Sequence, residues 1–258
     1  MEYIDRSKAK ILYYDIETAP NLSYVWGQYE QNVIAHVSEW HMLCVSYKWE
    51  GHKRAQVCAL DDFPDEFKKD PENDVHVAKK LFDLFDQADI VIAHNGDRFD
   101  RRKANARFVY HGFGPPSPYK TVDTLKIARK EFMFNSNKLN HLGQHLGLGE
   151  KVSTDGFETW AGCMRGDKKA WKTMKKYAKQ DVDLLVDVYK ALLPWADSHP
   201  NLNVYDGGAN CSKCGSTNLQ RRGRRVTRTG VFQTFQCNDC KGYSRARLSE
   251  KTDRPEIV

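Results

Sequence analysis

"ILYYDIETAP", residues 11–20, is an apolar run that ends in two carboxylates two positions apart. Side chains alternate across a strand, so Asp15 and Glu17 share one face while Ile16 takes the other. Two like charges side by side at the end of a buried strand cost free energy unless something positive lies between them. A lone D-x-E ahead of a turn at Pro20 also fits a solvated strand end. What the rest of the chain brings to that corner decides between the two.

Outward from this strand the pattern alternates. "MLCVSYKW" and "AQVCALDD" read as strands with Gly51 at the turn between them. "DVHVAKKLFDLFDQA" repeats Val77, Leu81, Leu84, Phe85 and Ala88 at helical spacing. "DIVIAHN" is a short β-branched strand, and "RRKANARFVYHGF" a helix stopped by "GFGPPSP". "KTVDTL" is a strand end leading into the helix "LKIARKEF", and "KLNHLGQHLGLG" is a short helix. After Asp167, "KKAWKTMKKYAKQDVDLLVDVYKALLPW" is one long helix or two in succession. Strands followed by alternating strands and helices predict an α/β domain built on a mixed sheet.

Composition bounds the rest. The 258 residues suffice for one sizeable core and a small second module. No stretch approaches the ~18 apolar residues of a membrane span, and "MEYIDRSKAK" lacks the apolar centre of an export signal. The expectation is a cytoplasmic protein with no membrane partner. Residues 209–258 carry 11 Lys or Arg against 4 Asp or Glu, a net +7, whereas everything before them is at net −1. A near-neutral body with a strongly basic tail suits a polyanionic partner. Cys44, Cys58 and Cys163 are scattered, but Cys211, Cys214, Cys237 and Cys240 form two C-x-x-C pairs, which point to metal before disulfide.

Two further acidic pieces matter. In "IVIAHNGDRFD" a strand ends in a polar cluster and Asp100 opens the next helix, where it can cap or bind. In "YAKQD", Tyr177 and Asp181 lie four apart on one helix face and reach a common point. The order D-x-E, N-x-x-x-F-D, Y-x-x-x-D resembles the three motifs of the DEDD (DnaQ-like) 3′–5′ exonuclease superfamily, over roughly residues 8–195. A histidine-type third motif would need His where Lys176 stands, so the tyrosine subclass, DEDDy, is indicated.

This resemblance implies an RNase H-like fold that gathers Asp15, Glu17, Asp100 and Asp181 at one end of the sheet. Four carboxylates so close become favourable around two divalent ions, and hard oxygen ligands select Mg²⁺ or Mn²⁺. Two such ions ~3.5–4 Å apart serve in-line phosphoryl displacement. The attacking hydroxide would be oriented by Tyr177, and the product would be a 5′-mononucleotide. Thr18 and Asn95 are candidates for contact with the strand end, and Lys138 for the backbone. Asp123 reads as a helix cap, His141 and His145 as a solvated helix face, and Trp160, Trp171 and Trp195 as core.

The tail's knuckles, "CSKCG" and "CNDCKG", aim four thiolates at one structural Zn²⁺. The intervening "LQRRGRRVTRTGVFQTFQ" reads as a hairpin with "TG" near its turn, and the segment resembles a zinc ribbon. Arg221, Arg222, Arg224 and Arg225, with Phe232, Phe235 and Tyr243 interleaved, suit phosphates and bases. The expected layout is an exonuclease domain at 1–197, a linker at 198–208 and the ribbon at 209–258. The expected substrate is nucleic acid, DNA before RNA. Any proofreading would act in trans, with a polymerase or a repair or replication complex as partner. The alternatives are an exoribonuclease and an inert nucleic-acid-binding or recruitment factor.

Overall fold

The quoted run forms β1 (Ile11–Thr18), the middle strand of a five-stranded sheet. Leu12, Tyr13, Tyr14 and Ile16 are all buried, so β1 is covered on both faces and reads as a continuous apolar run. The computed structural model describes residues 8–29 and 32–250. Residues 1–7 and 251–258, the outer ends of the two expected domains, lie outside the described residues.

After β1 come a hairpin of β2 (Leu22–Tyr24) and β3 (Ala35–Ser38), then β4 (Met42–Trp49) and β5 (Gln56–Ala59). Helices α1 (Pro64–Lys69) and α2 (Val75–Gln87) lead to β6 (Ile90–Ala93), α3 (Asp100–Tyr110) and β7 (Lys120–Asp123). Next are α4 (Thr124–Glu131), α5 (Leu139–His145), α6 (Phe157–Met164) and α7 (Lys168–Leu192). The sheet order is β5-β4-β1-β6-β7. The β5–β4 and β4–β1 pairs are antiparallel, and β1–β6 and β6–β7 are parallel. The fold is the mixed α/β sheet of the RNase H-like class.

Two apolar clusters sandwich this sheet. Leu12, Tyr14 and Ile16 pack with Leu81 and Phe85 of α2 and Phe108 of α3. Ile11 and Tyr13, on the other face, pack with Leu142 of α5 and with Val182, Leu185 and Tyr189 of α7. The acids therefore continue the α7-facing row of β1: Ile11, Tyr13, Asp15, Glu17. The segment after Asp167 is one helix of 25 residues, capped by Asp167, whose carboxylate accepts from the Lys169 amide at 2.7 Å. The hairpin β2–β3 and helices α1 and α6 have no counterpart in the sequence reading. Trp195, expected in the core, is 60% exposed, because it follows the last turn of α7.

The tail folds as α8 (Asn203–Asp206) and a small sheet of β8 (Leu219–Thr227), β9 (Gly230–Cys237) and β10 (Tyr243–Arg245). Leu202, inside the expected linker, is buried, and its amide donates to the Ser212 carbonyl. Lys213 donates to the Pro194 carbonyl at 2.6 Å, and Cys214 and Cys240 pack against the α7 cluster. The ribbon is thus seated at the C-terminal end of α7. Among the described residues no helix is long and apolar enough to cross a membrane.

Gly96 sets the turn that leads from β6 to Asp100. A methyl there would lie 2.4 Å from the Ala93 Cβ and 3.3 Å from the Tyr14 hydroxyl. Gly96→Ala is expected to destabilise the protein by about 1–3 kcal/mol through overpacking, measured by urea unfolding. An unchanged midpoint would show that this turn yields freely.

Candidate active site

Asp15 and Glu17 project from the end of β1, and Asp181 meets them from α7. One oxygen from each of the three lies within 4.8 Å of the others. Local geometry explains the meeting. The antiparallel ladder sets Asp15 opposite Ser46 and Glu17 opposite Cys44, and its register slips between Glu17 and Thr18. That bulge re-aims the strand end just beyond the acids. On α7, Tyr177 and Asp181 are one turn apart and share a face toward them.

Asp100 arrives differently. The parallel ladder with β6 covers only Ile11–Tyr13, which leaves the Ile16 amide without a strand partner on that side. Asp100 Oδ1 accepts that N–H at 3.2 Å, from the first residue of α3. Its oxygens are not part of the three-acid cluster, but its charge acts directly on Asp15. The turn before it is tightly held. Asn95, at φ 67°, accepts from the amides of Arg98 and Phe99, and Asp123 Oδ1 accepts the Asn95 amide at 2.9 Å. Asp123 also caps α4 by accepting the Leu125 amide.

Withdrawal from water and mutual repulsion dominate the electrostatics. Burial pushes the Glu17 carboxyl up to about 8, with the Asp181 charge adding to the rise. Burial likewise raises Asp100 to about 6, and burial with the Asp100 and Glu17 charges raises Asp15 well above the carboxylate range. Such a site is poised for a cation. Its donors are all hard oxygens, and Asp181 Oδ1 is buried without a hydrogen-bond partner. A divalent ion fits that donor set.

Sequence reasoning missed Lys151, which supplies a positive charge to the corner. Its ammonium donates to Asp181 Oδ2 and to the Tyr177 hydroxyl, the latter at 3.1 Å, and lies over the Tyr177 ring. It comes from the irregular stretch between α5 and α6, where its amide is fixed by Asn140 Oδ1 at 2.7 Å. A lysine in an aperiodic stretch carries no signal. Trp160 of α6 packs partly buried against the core, as expected, and from there its indole N–H reaches Glu17 while its ring meets that of Tyr177 edge-on.

Beside the acids is a pocket of about 490 Å³ lined by Thr18, Asn21, Trp40, Phe99, Lys103 and Trp160, among others. Lys103 donates to the Thr18 hydroxyl at 3.0 Å and lies 4.0 Å from the Trp40 ring centre and 4.9 Å from that of Phe99. Lys103 and Trp40 were not singled out in the sequence, although Lys103 is one helical turn from Asp100. Among the described residues, no hydrogen bond or ion pair links the side chains of Asn95 or Lys138 to the acids. Lys138 is exposed just before α5. His141 and His145 stack on one another, 5.8 Å apart.

A second ligand cluster lies in the ribbon. The sulfurs of Cys211, Cys214, Cys237 and Cys240 gather within 4.8 Å, with Cys211–Cys240 and Cys214–Cys237 each at 3.6 Å. Thiolates at ~2.3 Å from a tetrahedral zinc stand about 3.8 Å apart, so the spacing fits zinc and is too long for disulfides. The Gly242 amide donates to Cys240 Sγ. Arg221, Arg222, Arg224 and Arg225 are exposed on β8, where the register shift around Gly223 opens a cleft that Tyr243 and Arg245 also line. Arg224 is paired with Glu250 at 2.6 Å.

A family model described as RNase_H superfamily matches residues 47–193, from the end of β4 through α7. Among solved structures the fold is similar to the family B DNA polymerase from the hyperthermophilic archaeon Pyrobaculum calidifontis, at 13% identity and a TM-score of 0.54. That likeness covers 85% of this chain and 31% of the polymerase chain. No curated protein matches the chain.

A carboxyl whose folded pKa is raised costs stability as pH climbs from its unfolded value to its folded one. Glu17 and Asp100, at about 8 and about 6, are therefore expected to lower the melting temperature of metal-free protein as pH rises from about 4 toward 8. Ions displace those protons, so added Mn²⁺ is expected to raise the melting temperature more at pH 8 than at pH 6. Equal gains at both would count against a cation among these acids. For the ribbon, elemental analysis is expected to find one zinc per chain, and Cys240→Ser to lose it together with amide protection in β8–β10. Retained protection without zinc would refute a structural metal.

Proposed function

The chain belongs to the RNase H superfamily, and from that premise we propose that it is a metal-dependent 3′–5′ exonuclease of the DEDDy type. It hydrolyses terminal phosphodiesters, of single-stranded DNA before RNA, and releases 5′-mononucleotides. The observation that carries this reading is the meeting of Asp15, Glu17 and Asp181 within 4.8 Å, with Asp100 bonded to the strand between the first two. A protein that only bound nucleic acid would gain nothing from burying like charges together.

Asp15, Glu17, Asp100 and Asp181 would hold two Mg²⁺ or Mn²⁺ ions, which supply Lewis acidity toward a phosphodiester and the water that attacks it. The chain's own groups do the rest. Tyr177, held by Lys151, borders the corner and orients the attacking water. Trp40, Phe99 and Trp160 stack the terminal base, and Lys103 answers a phosphate beside Thr18. At this pocket the Lys103 ammonium donates to the Thr18 hydroxyl and the Trp40 amide donates to Asn21 Oδ1. The carboxylates do not discriminate sugars, and the order DNA before RNA is what the side-by-side assay below decides.

We assign residues 1–197 to the nuclease domain and 209–258 to a ribbon that holds nucleic acid through Arg221, Arg222, Arg224 and Arg225. Residues 198–208, expected as a linker, are a packed joint between them, with Leu202 buried and α8 formed. Asn95 and Lys138 are assigned to the approach of the strand. A polymerase or a repair or replication complex would be met in trans.

Single strands of DNA and of RNA, labelled at the 3′ or the 5′ end and incubated with Mg²⁺ or Mn²⁺, test the reading. Mononucleotide is expected from the 3′ end, faster on DNA. Asp15→Asn is expected to lower cleavage at least about 100-fold, while its metal-free melting temperature holds or rises because a repelled buried charge is gone. Strands bound but left intact would make the protein a binding factor; wild-type cleavage by Asp15→Asn would misplace the metal site.

A further inference from the structure

Helix α3 separates two differently built hollows. Asp100, Lys103 and Arg107 lie on one stripe of the helix, toward the acids and Trp40. Arg101 and Arg102 lie on the opposite stripe and line a cleft of about 730 Å³ between α3, the proline-rich loop at 115–118 and the start of α4. Its other cations are Arg98, Lys120 and Lys126, and its one carboxylate is Asp97. Asp97 is engaged by Lys126 at 2.5 Å and stands 3.8 Å from Arg101. Among the described residues, the guanidinium groups of Arg98 and Arg102 and the ammonium of Lys120 have no hydrogen bond or ion pair. Uncompensated cations gathered along a groove repel one another, and a polyanion relieves that repulsion.

The cleft's position says which polyanion. Arg98, Phe99 and Asp100 are consecutive: the first fronts this cleft, the second the aromatic pocket, the third the acidic corner. Neighbouring Cα atoms are ~3.8 Å apart, so all three features adjoin around a single turn. That turn is fixed by Asp123, which accepts the amides of both Asn95 and Asp97. Tyr119 is the cleft's one aromatic residue, so the cleft is built for phosphates and not for bases.

We propose that this cleft is a phosphate track: it takes the sugar–phosphate backbone of the substrate strand on the 5′ side of the nucleotide seated in the aromatic pocket, without regard to base. The assignment rests on the nuclease reading for the identity of the polymer. It adds Arg98, Arg102 and Lys120 to the residues that decide affinity.

Fluorescence anisotropy on the full chain carrying Asp15→Asn, with a labelled oligodeoxynucleotide of about 20 residues over a salt series, tests it. Arg98→Glu with Arg102→Glu is expected to weaken binding about tenfold and to flatten the salt slope by about 1.4, ~0.7 for each lost phosphate contact. Arg98→Gln with Arg102→Gln, which removes charge without reversing it, is expected to lose roughly half as much in log affinity and the same slope. Lys53→Glu with Arg54→Glu makes the same charge change at the exposed β4–β5 turn, at the other end of β1 from Glu17, and is expected to bind as the parent does. Unchanged affinity and slope in the Arg98/Arg102 variants, all melting like the parent, would overturn the track, as would an equal loss in the Lys53/Arg54 control. A native chain that cleaves labelled strands while those variants bind normally sinks the track alone. One that cleaves nothing while they lose affinity sinks the nuclease reading and leaves the track standing.

Discussion

Like charges brought together out of water are the constraint around which this molecule is organised. β1 must be apolar on both faces to lie at the centre of the sheet, yet its last α7-facing positions are Asp15 and Glu17. The same row that buries Ile11 and Tyr13 against α7 delivers the two acids to Asp181. Packing energy along the apolar part of the strand therefore holds the acidic part in place. Without an ion, the corner relies on Lys151, on raised carboxyl pKa values and on the Ile16 amide to remain compact.

Much of this was legible in the sequence because its signals are local and periodic. The apolar run at 11–16, the helical spacing at 77–88 and the i, i+4 pair of Tyr177 and Asp181 each reflect one element's own geometry. The cysteine pairs were legible for a related reason, since a C-x-x-C knuckle is a self-contained turn. What escaped depends on contacts between distant segments. Lys151 reaches the acids from a stretch with no periodicity, and the approach of Trp160 to Glu17 and Tyr177 arises only when the short helix α6 packs against α7. Trp195 is exposed because the chain turns away at Pro194 to dock the ribbon, a tertiary event. The strands of the β2–β3 hairpin do alternate, Leu22-Ser23-Tyr24 and Ala35-His36-Val37-Ser38, but at three and four residues they are too short, and their apolar residues too exposed, for the alternation to stand out.

Helix α3 shows how one short element serves several ends. Its first residue satisfies a backbone amide of the central strand, its inner stripe places Lys103 and Arg107 against Trp40, and its outer stripe presents arginines to the proline-rich loop. Its overall amphipathicity is weak for that reason. Apolar anchoring falls to Ala104 and Phe108, and charged residues occupy both flanks. A sequence reader sees a basic helix; the fold separates its charges by role.

The ribbon is clamped to Pro194, and Leu192, the last residue of α7, is eleven helical positions beyond Asp181, roughly 17 Å of rise. Any polymer gripped at both places must bridge at least that gap. On the proposed reading that polymer is the strand being trimmed, and the spacing between anchor and blade would then be a ruler: a remnant shorter than it could hang on by one end alone.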